Sequence, residues 1–264
     1  MQIGILLILA CLISAVICLL VPVALLVGVR LKTHRGLLAG LIGAICFIVS
    51  ALVLEQLVHS IVFSAFPLLL QHPGLYTAYG CLAAGLFEET ARYIGLRFLC
   101  RKSPSPITGI GYGIGHGGAE AILLAGLPCL SSLFVLIVAR AGALEAVFGT
   151  ELTTTIEAQL LSQGLTPLLL LVPGLERLAA MGLHLSLSML VWMVVTHRLP
   201  MAVLAGAIGM HALANVGAAL YQCGVFSLLA AEVWTYVCVL AISILVWRLY
   251  QKTSPRNKMA PDII

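Results

Sequence analysis

The sequence predicts an all-α fold: a polytopic transmembrane bundle of about seven spans, with an extra re-entrant or interfacial helix. Three observations lead there. Of 264 residues, 61% are hydrophobic and only 9% charged, with a mean hydropathy of +1.13; soluble domains carry about 25% charged residues. Uninterrupted apolar stretches of about 20 residues, the length needed to cross a bilayer as helix, recur along the chain. The alternating ten-residue segments of a membrane β-barrel are absent. No polar stretch is long enough for a soluble domain, so residues 1–264 read as a single integral-membrane domain. Its core covers about 77–220 and its polar tail 250–264.

The spans follow in order. Residues 3–29 lack a basic leading region and read as a membrane helix rather than a secretory signal. The second span, 36–66, is long and ends before Pro67. The third, 77–99, is apolar except for Glu88, Glu89, Arg92 and Arg97. The fourth, 107–126, is rich in glycine, and the short apolar run 129–139 is assigned to the re-entrant or interfacial helix. Residues 141–175, with Glu145, Glu151 and Glu157, read as a semi-polar loop. The remaining spans are 176–196, 201–220 and 225–249, with Glu176 at a helix start.

The basic residues orient the bundle. Arg30, Lys32 and Arg35 follow span one; Arg97, Arg101 and Lys102 follow span three; Arg198 follows span five; Arg248, Lys252, Arg256 and Lys258 follow span seven. All four clusters fall on one side if the first helix enters from outside. The positive-inside rule then makes the N-terminus extracytoplasmic and the C-terminus cytoplasmic in a cell membrane. The net charge of +4 sits at helix ends rather than in a patch, which argues against nucleic acid as a partner. The eight cysteines show no CxxC or CxxxC spacing and read mostly as small core residues, with a Cys129–Cys223 disulfide disfavoured.

The informative residues are the ionisable ones inside spans. Each ionised side chain at a helix centre costs roughly 2.5–3.5 kcal/mol. Span three carries Glu88, Glu89 and Arg92; span four His116 and Glu120; span five Glu176, Arg177 and His184; span six His211 and Asn215. At 1.5 Å per residue, Glu88, His116, His184 and His211 lie about 12–16 Å from their helix ends, nearly level in a core ~30 Å thick. Glu88 and Arg92, His116 and Glu120, and His211 and Asn215 are i,i+4 pairs, each on one helix face. Glu88 and Glu89 are about 100° apart and cannot point the same way. The glycines around His116 remove side chains where a helix or a substrate backbone must come close.

A carboxylate beside an imidazole can deprotonate water, and a second histidine with an asparagine amide can stabilise a tetrahedral oxyanion. Glu88-Glu89-x-x-Arg92, Tyr112-x-x-x-His116 and His211-x-x-x-Asn215 resemble, in that order, the motif series of the CAAX-protease/bacteriocin-immunity and PrsW-type intramembrane proteases. The fuller strings, with Gly115-His116-Gly117-Gly118-Ala-Glu120 and Glu176-Arg177…His184, resemble the YhfC family, classed as glutamic-type intramembrane proteases. The similarity covers roughly residues 80–216. It implies Glu88 and His116 as the water-activating pair, His211 and Asn215 as the oxyanion pair, and Glu89 and Arg92 in support. Glu120 and His184 are further supporting candidates. Arg92 is one residue closer to the glutamates than in the CAAX-protease pattern, and Tyr112 replaces phenylalanine.

The expected function is thus an intramembrane endopeptidase hydrolysing peptide bonds of membrane-embedded or membrane-associated substrates, with no cofactor. The alternatives are a Zn²⁺-dependent protease using His116, His184, His211 and a glutamate, a transporter, or a silent scaffold. Glu55 and His59, an i,i+4 pair in span two, and Glu232 in span seven read as packing or interfacial residues.

Overall fold

In a computed structural model of the protein, residues 3–162 and 164–253 are described, and they form helices joined by short turns. Helix α1 runs Ile5–Thr33 and α2 Leu37–Ala65. A one-turn helix, Leu68–Gln71, precedes α3, Pro73–Cys100. Then come α4, Pro106–Arg140; α5, Leu144–Ser162; α6, Pro167–Val195; α7, Val203–Gln222; and α8, Leu228–Thr253. Six of these, all but α3 and α5, are long and apolar enough to cross a membrane. Helix α3, at 28 residues, has the length of the remaining expected span but carries the charges that set it apart.

Three assignments differ from the sequence reading. Residues 129–139 form no separate helix; they continue span four, so that α4 is 35 residues long. Pro128 lacks the N–H that would bond back to residue 124 and its ring crowds that carbonyl. The wider π-helical turns over Ala121–Gly126, directly before it, let the helix continue. Residues 144–162 are helical rather than loop, bent where Gly149 takes φ 77°. Helix α6 begins at Pro167, so Glu176 lies inside it and not at its start. Tyr250–Thr253 still belong to α8, and the rest of the expected polar tail lies outside the described residues.

The chain divides into two compact units, one comprising Met1–Val23 and Glu120–Leu178, the other Ala24–Ala119 and Ala179–Ile264. In the first, α1 packs on α4 and α6 through small residues. The Ser14 hydroxyl donates to the Leu170 carbonyl at 2.6 Å, and the Cys11 thiol to the Cys129 carbonyl at 3.3 Å. A Cβ on Gly174 would stand 2.8 Å from Ser14 Cα. All eight cysteines are free thiols.

The second unit is centred on the buried residues Leu187, Leu190, Trp192 and Met193 of α6, with Leu96 of α3 and Tyr112 of α4. Here α4 is glycine on two sides. Gly111 and Gly115 face α2, where added Cβ atoms would lie 2.5 Å from Gly36 O and 1.9 Å from Gly40 O. Gly113 and Gly117 face α6, with Cβ positions 2.8 Å from Leu185 Cα and 3.0 Å from His184 Cβ. On α3, Gly85 meets the Ile208 carbonyl of α7 in the same way, at 2.6 Å. Backbone thus packs on backbone, as small residues allow between membrane helices. His116 lies between the two glycine rows of α4.

Gly115→Val is expected to destabilise the protein by about 1–3 kcal/mol or more, since the atom it strikes is backbone and cannot rotate away. Gly209→Ala, whose Cβ meets nothing within 4 Å, is the tolerated control. Thermal unfolding in detergent checks both; equal midpoints for the two variants would contradict the packing described.

Candidate active site

Segments of four helices, all within the second unit, bring one polar cluster together. Helix α3 supplies Glu88, Glu89 and Arg92; α4 His116; α6 His184 and Ser188; α7 His211. All are buried, with Glu89, Arg92, His116 and Ser188 at 0% exposure. The i,i+3 spacing of Glu89 and Arg92 puts both on the inner face of α3, and Glu88, one residue back, turns to a different neighbour.

Glu88 Oε2 lies 2.8 Å from His116 Nε2. Its other oxygen, Oε1, is 3.7 Å from His211 Nε2, outside hydrogen-bond range. Glu89 Oε1 accepts from His211 Nδ1 at 2.8 Å, and Glu89 Oε2 accepts from Arg92 Nε at 2.9 Å. Arg92 spends its remaining nitrogens on α6. NH1 donates to the His184 carbonyl at 3.0 Å and to the Ser188 hydroxyl, and NH2 donates to His184 Nδ1 at 2.9 Å. The imidazoles touch one another, with ring centroids 4.8 Å apart for His116 and His184 and 5.4 Å for His184 and His211. Phe47 of α2 closes the His116 side edge-on at 5.3 Å.

Of the eight residues singled out in the sequence, six meet here: Glu88, Glu89, Arg92, His116, His184 and His211. Asn215, one turn beyond His211, is half-buried and has no hydrogen bond among the described residues. Glu120 belongs to a different cluster, in the first unit, where Arg177 NH1 donates to it at 2.5 Å and Arg177 NH2 to Glu176 at 2.6 Å. Ser188 was missed. Its signal was present, since His184-x-x-x-Ser188 repeats the i,i+4 spacing of the other pairs. Glu55 is buried, 3.1 Å from His59 Nε2, and His59 Nδ1 is 2.9 Å from the Tyr79 hydroxyl. The pair therefore joins α2 to α3.

The donor set fits a metal ion. One ligand atom each from Glu88, His184 and His211 lies within 4.8 Å of the others, all buried. With Nδ1 of His211 giving its hydrogen to Glu89, the neutral ring presents a lone pair on Nε2 toward Glu88 Oε1. The two atoms are 3.7 Å apart, near the ~3.4 Å between two ligands of one tetrahedral Zn²⁺. A carboxylate behind a histidine in this way is the usual support of a ligating imidazole.

Among the described residues, Arg92 is the one arginine or lysine bonded to Glu89. Arg92→Met is expected to cost about 3–5 kcal/mol, as for a buried pair with one partner removed. The double variant Arg92→Met/Glu89→Gln should lose less than the sum of the two single changes. Strict additivity in unfolding experiments would count against the pair.

The model of a family described as "YhfC intramembrane metalloprotease" matches residues 17–239. The chain is also 35% identical over 239 residues to the "Uncharacterized membrane protein YhfC" of Bacillus subtilis (strain 168), covering 88% of this chain and 91% of that one. No solved structure matches it. The expectation of a cofactor-free protein is overturned by the family's description as a metalloprotease and by the Glu/His/His donors gathered at Glu88, His184 and His211. With its family model matching most of its length, the chain belongs to the YhfC intramembrane metalloprotease family.

Proposed function

We propose that the protein is a metal-dependent endopeptidase that hydrolyses peptide bonds of membrane-embedded or membrane-associated substrates within the bilayer. The observation that carries this reading is the approach of Glu88 Oε1 and His211 Nε2, 3.7 Å apart in a buried cluster. With Nδ1 bonded to Glu89, a neutral His211 turns Nε2 toward the same point as Glu88 Oε1, where a cation would be held. The reading departs from the glutamic type that the motif resemblance implied.

Glu88 and His211 are the residues suited to hold the ion, with the third ligand drawn from His116 or His184. When bound, a divalent ion such as Zn²⁺ would acidify a water molecule and polarise the scissile carbonyl. The chain's own residues then move the proton. Glu88 Oε2, the oxygen turned away from His211 and 2.8 Å from His116 Nε2, takes one proton from the attacking water as the water oxygen bonds to the carbonyl carbon. It returns that proton to the amide nitrogen as the C–N bond breaks, leaving a carboxylate-terminated and an amine-terminated product. Glu89 holds His211 in register, and Arg92 neutralises Glu89. Asn215, one turn from His211, is a candidate amide donor to the substrate. The basic clusters support an extracytoplasmic N-terminus and a cytoplasmic C-terminus.

The purified protein, reconstituted with candidate membrane peptides, is expected to cleave them and to lose cleavage on chelation, with recovery on adding Zn²⁺. Glu88→Gln and His116→Ala should each lower the rate at least 100-fold. Equal cleavage by wild type and both variants, or full activity in chelator, would overturn the mechanism. Flux across proteoliposomes that depends on Glu88 without peptide cleavage would favour a transporter instead.

A further inference from the structure

Two imidazoles of the cluster carry opposite kinds of partner on the same ring atom. On His211, Nδ1 meets a carboxylate oxygen, Glu89 Oε1, at 2.8 Å. On His184, Nδ1 meets a guanidinium nitrogen, Arg92 NH2, at 2.9 Å. A carboxylate accepts; a guanidinium has donors only. A neutral His211 therefore holds its hydrogen on Nδ1 and a lone pair on Nε2. His184 is the reverse: Nδ1 accepts from Arg92, and the neutral ring keeps its hydrogen on Nε2.

The difference matters for what each ring can do. A ligating imidazole binds through a nitrogen bearing a lone pair and gives its other N–H to an acceptor. His211 meets that description and His184 does not, because the atom behind it is a donor. Arg92 is not at liberty to let go. Its Nε is held by Glu89 at 2.9 Å, its NH1 by the His184 carbonyl at 3.0 Å and by Ser188, and its side chain has no exposure.

We infer that His184 stands outside the metal's ligand set and is instead a catalytic hydrogen-bond donor, its Nε2–H serving the carbonyl oxygen of the scissile peptide. This rests on the metal-dependent hydrolysis proposed above. Attack on that carbonyl puts negative charge on its oxygen, and a fixed donor in a water-poor site stabilises the charge as it develops. Arg92 and Ser188 are positioning residues: Ser188 anchors the guanidinium, and the guanidinium sets the His184 tautomer. The third ligand is then His116, whose Nε2 already lies 2.8 Å from the Glu88 carboxylate and whose ring is beside His184.

The test measures metal and catalysis separately. Full-length wild type, His184→Gln, His184→Asn and His116→Ala are stripped, titrated with Co²⁺, and read by metal stoichiometry and by the visible Co²⁺ spectrum. His184→Gln, which retains an N–H donor, and His184→Asn are expected to bind one equivalent with the wild-type spectrum and affinity within about threefold. His184→Asn, whose shorter side chain does not reach, should lose about 10²–10³ in kcat, the cost of one oxyanion donor, with KM little changed. His184→Gln should recover part of that loss. His116→Ala should bind Co²⁺ far more weakly. If the His184 variants lose the ion or change its spectrum, the inference is overturned.

A measurement on the unsubstituted protein covers variants that fail to fold. In ¹⁵N-histidine-labelled wild type loaded with ¹¹³Cd²⁺, Nε2 of His211 should couple to cadmium while Nε2 of His184 stays protonated and uncoupled. Coupling to His184 would overturn the inference while leaving the metal reading intact. A wild type that binds neither ion would sink the metal reading first and this inference with it.

Discussion

A guanidinium without solvent must find a partner for its donors inside the protein, and Arg92 does so on three sides. It bonds to Glu89 within its own helix and to His184 and Ser188 on α6. Glu89 passes the constraint to His211 on α7. One buried cation thereby fixes the rotation of α3 against α6 and, through its carboxylate, that of α7. Removing any member leaves a charge or a donor stranded in a medium of low dielectric, where unpaired groups are costly. The chemistry depends on the same bonds. Glu88 can turn toward His116 and His211 only because Glu89 and Arg92 occupy the adjacent face of the helix.

The approach of the helices is what makes those bonds short enough. Rows of glycine on α4 let its backbone touch α2 on one side and α6 on the other, and Gly85 lets α3 touch α7. A methyl group at Gly115 would overlap the Gly40 carbonyl. With larger residues there, His116 and His184 would move apart, and Glu88 would lose its neighbour. Packing and function therefore make the same demand on these positions, as expected where membrane helices associate through small residues.

Charge placement also separates the histidines, which look alike by residue type. Glu89 stands behind His211 and Arg92 behind His184; in the proposed reading the first prepares a lone pair for a cation and the second a hydrogen-bond donor. On that proposal a place for positive charge lies beside a place for developing negative charge, the pairing that peptide hydrolysis by a Lewis acid uses. A metal was among the readings open from the sequence, and the family's description favours it over the cofactor-free one.

The sequence by itself determined that the chain is a bundle of membrane-length apolar helices, because a bilayer asks only for length and hydropathy, and both are local. It also pointed to most of the buried polar cluster. Glu88, Glu89, Arg92, His116, His184 and His211 are expensive at bilayer depth, so their presence there was legible without knowing what they touched. Tertiary structure alone decided their partners. Glu120 shares a helix face with His116 by spacing, yet its carboxylate is taken by Arg177. Ser188 shows its use only when Arg92 arrives from another helix. The run after Pro128 read as a separate helix, because the π-helical turns that carry α4 through it leave no mark in the local pattern of residues. The physical reason is common to all of these. Hydropathy sets the depth of a residue, but the rotation of each helix about its own axis sets its neighbours, and that rotation is settled by contacts between distant segments of the chain.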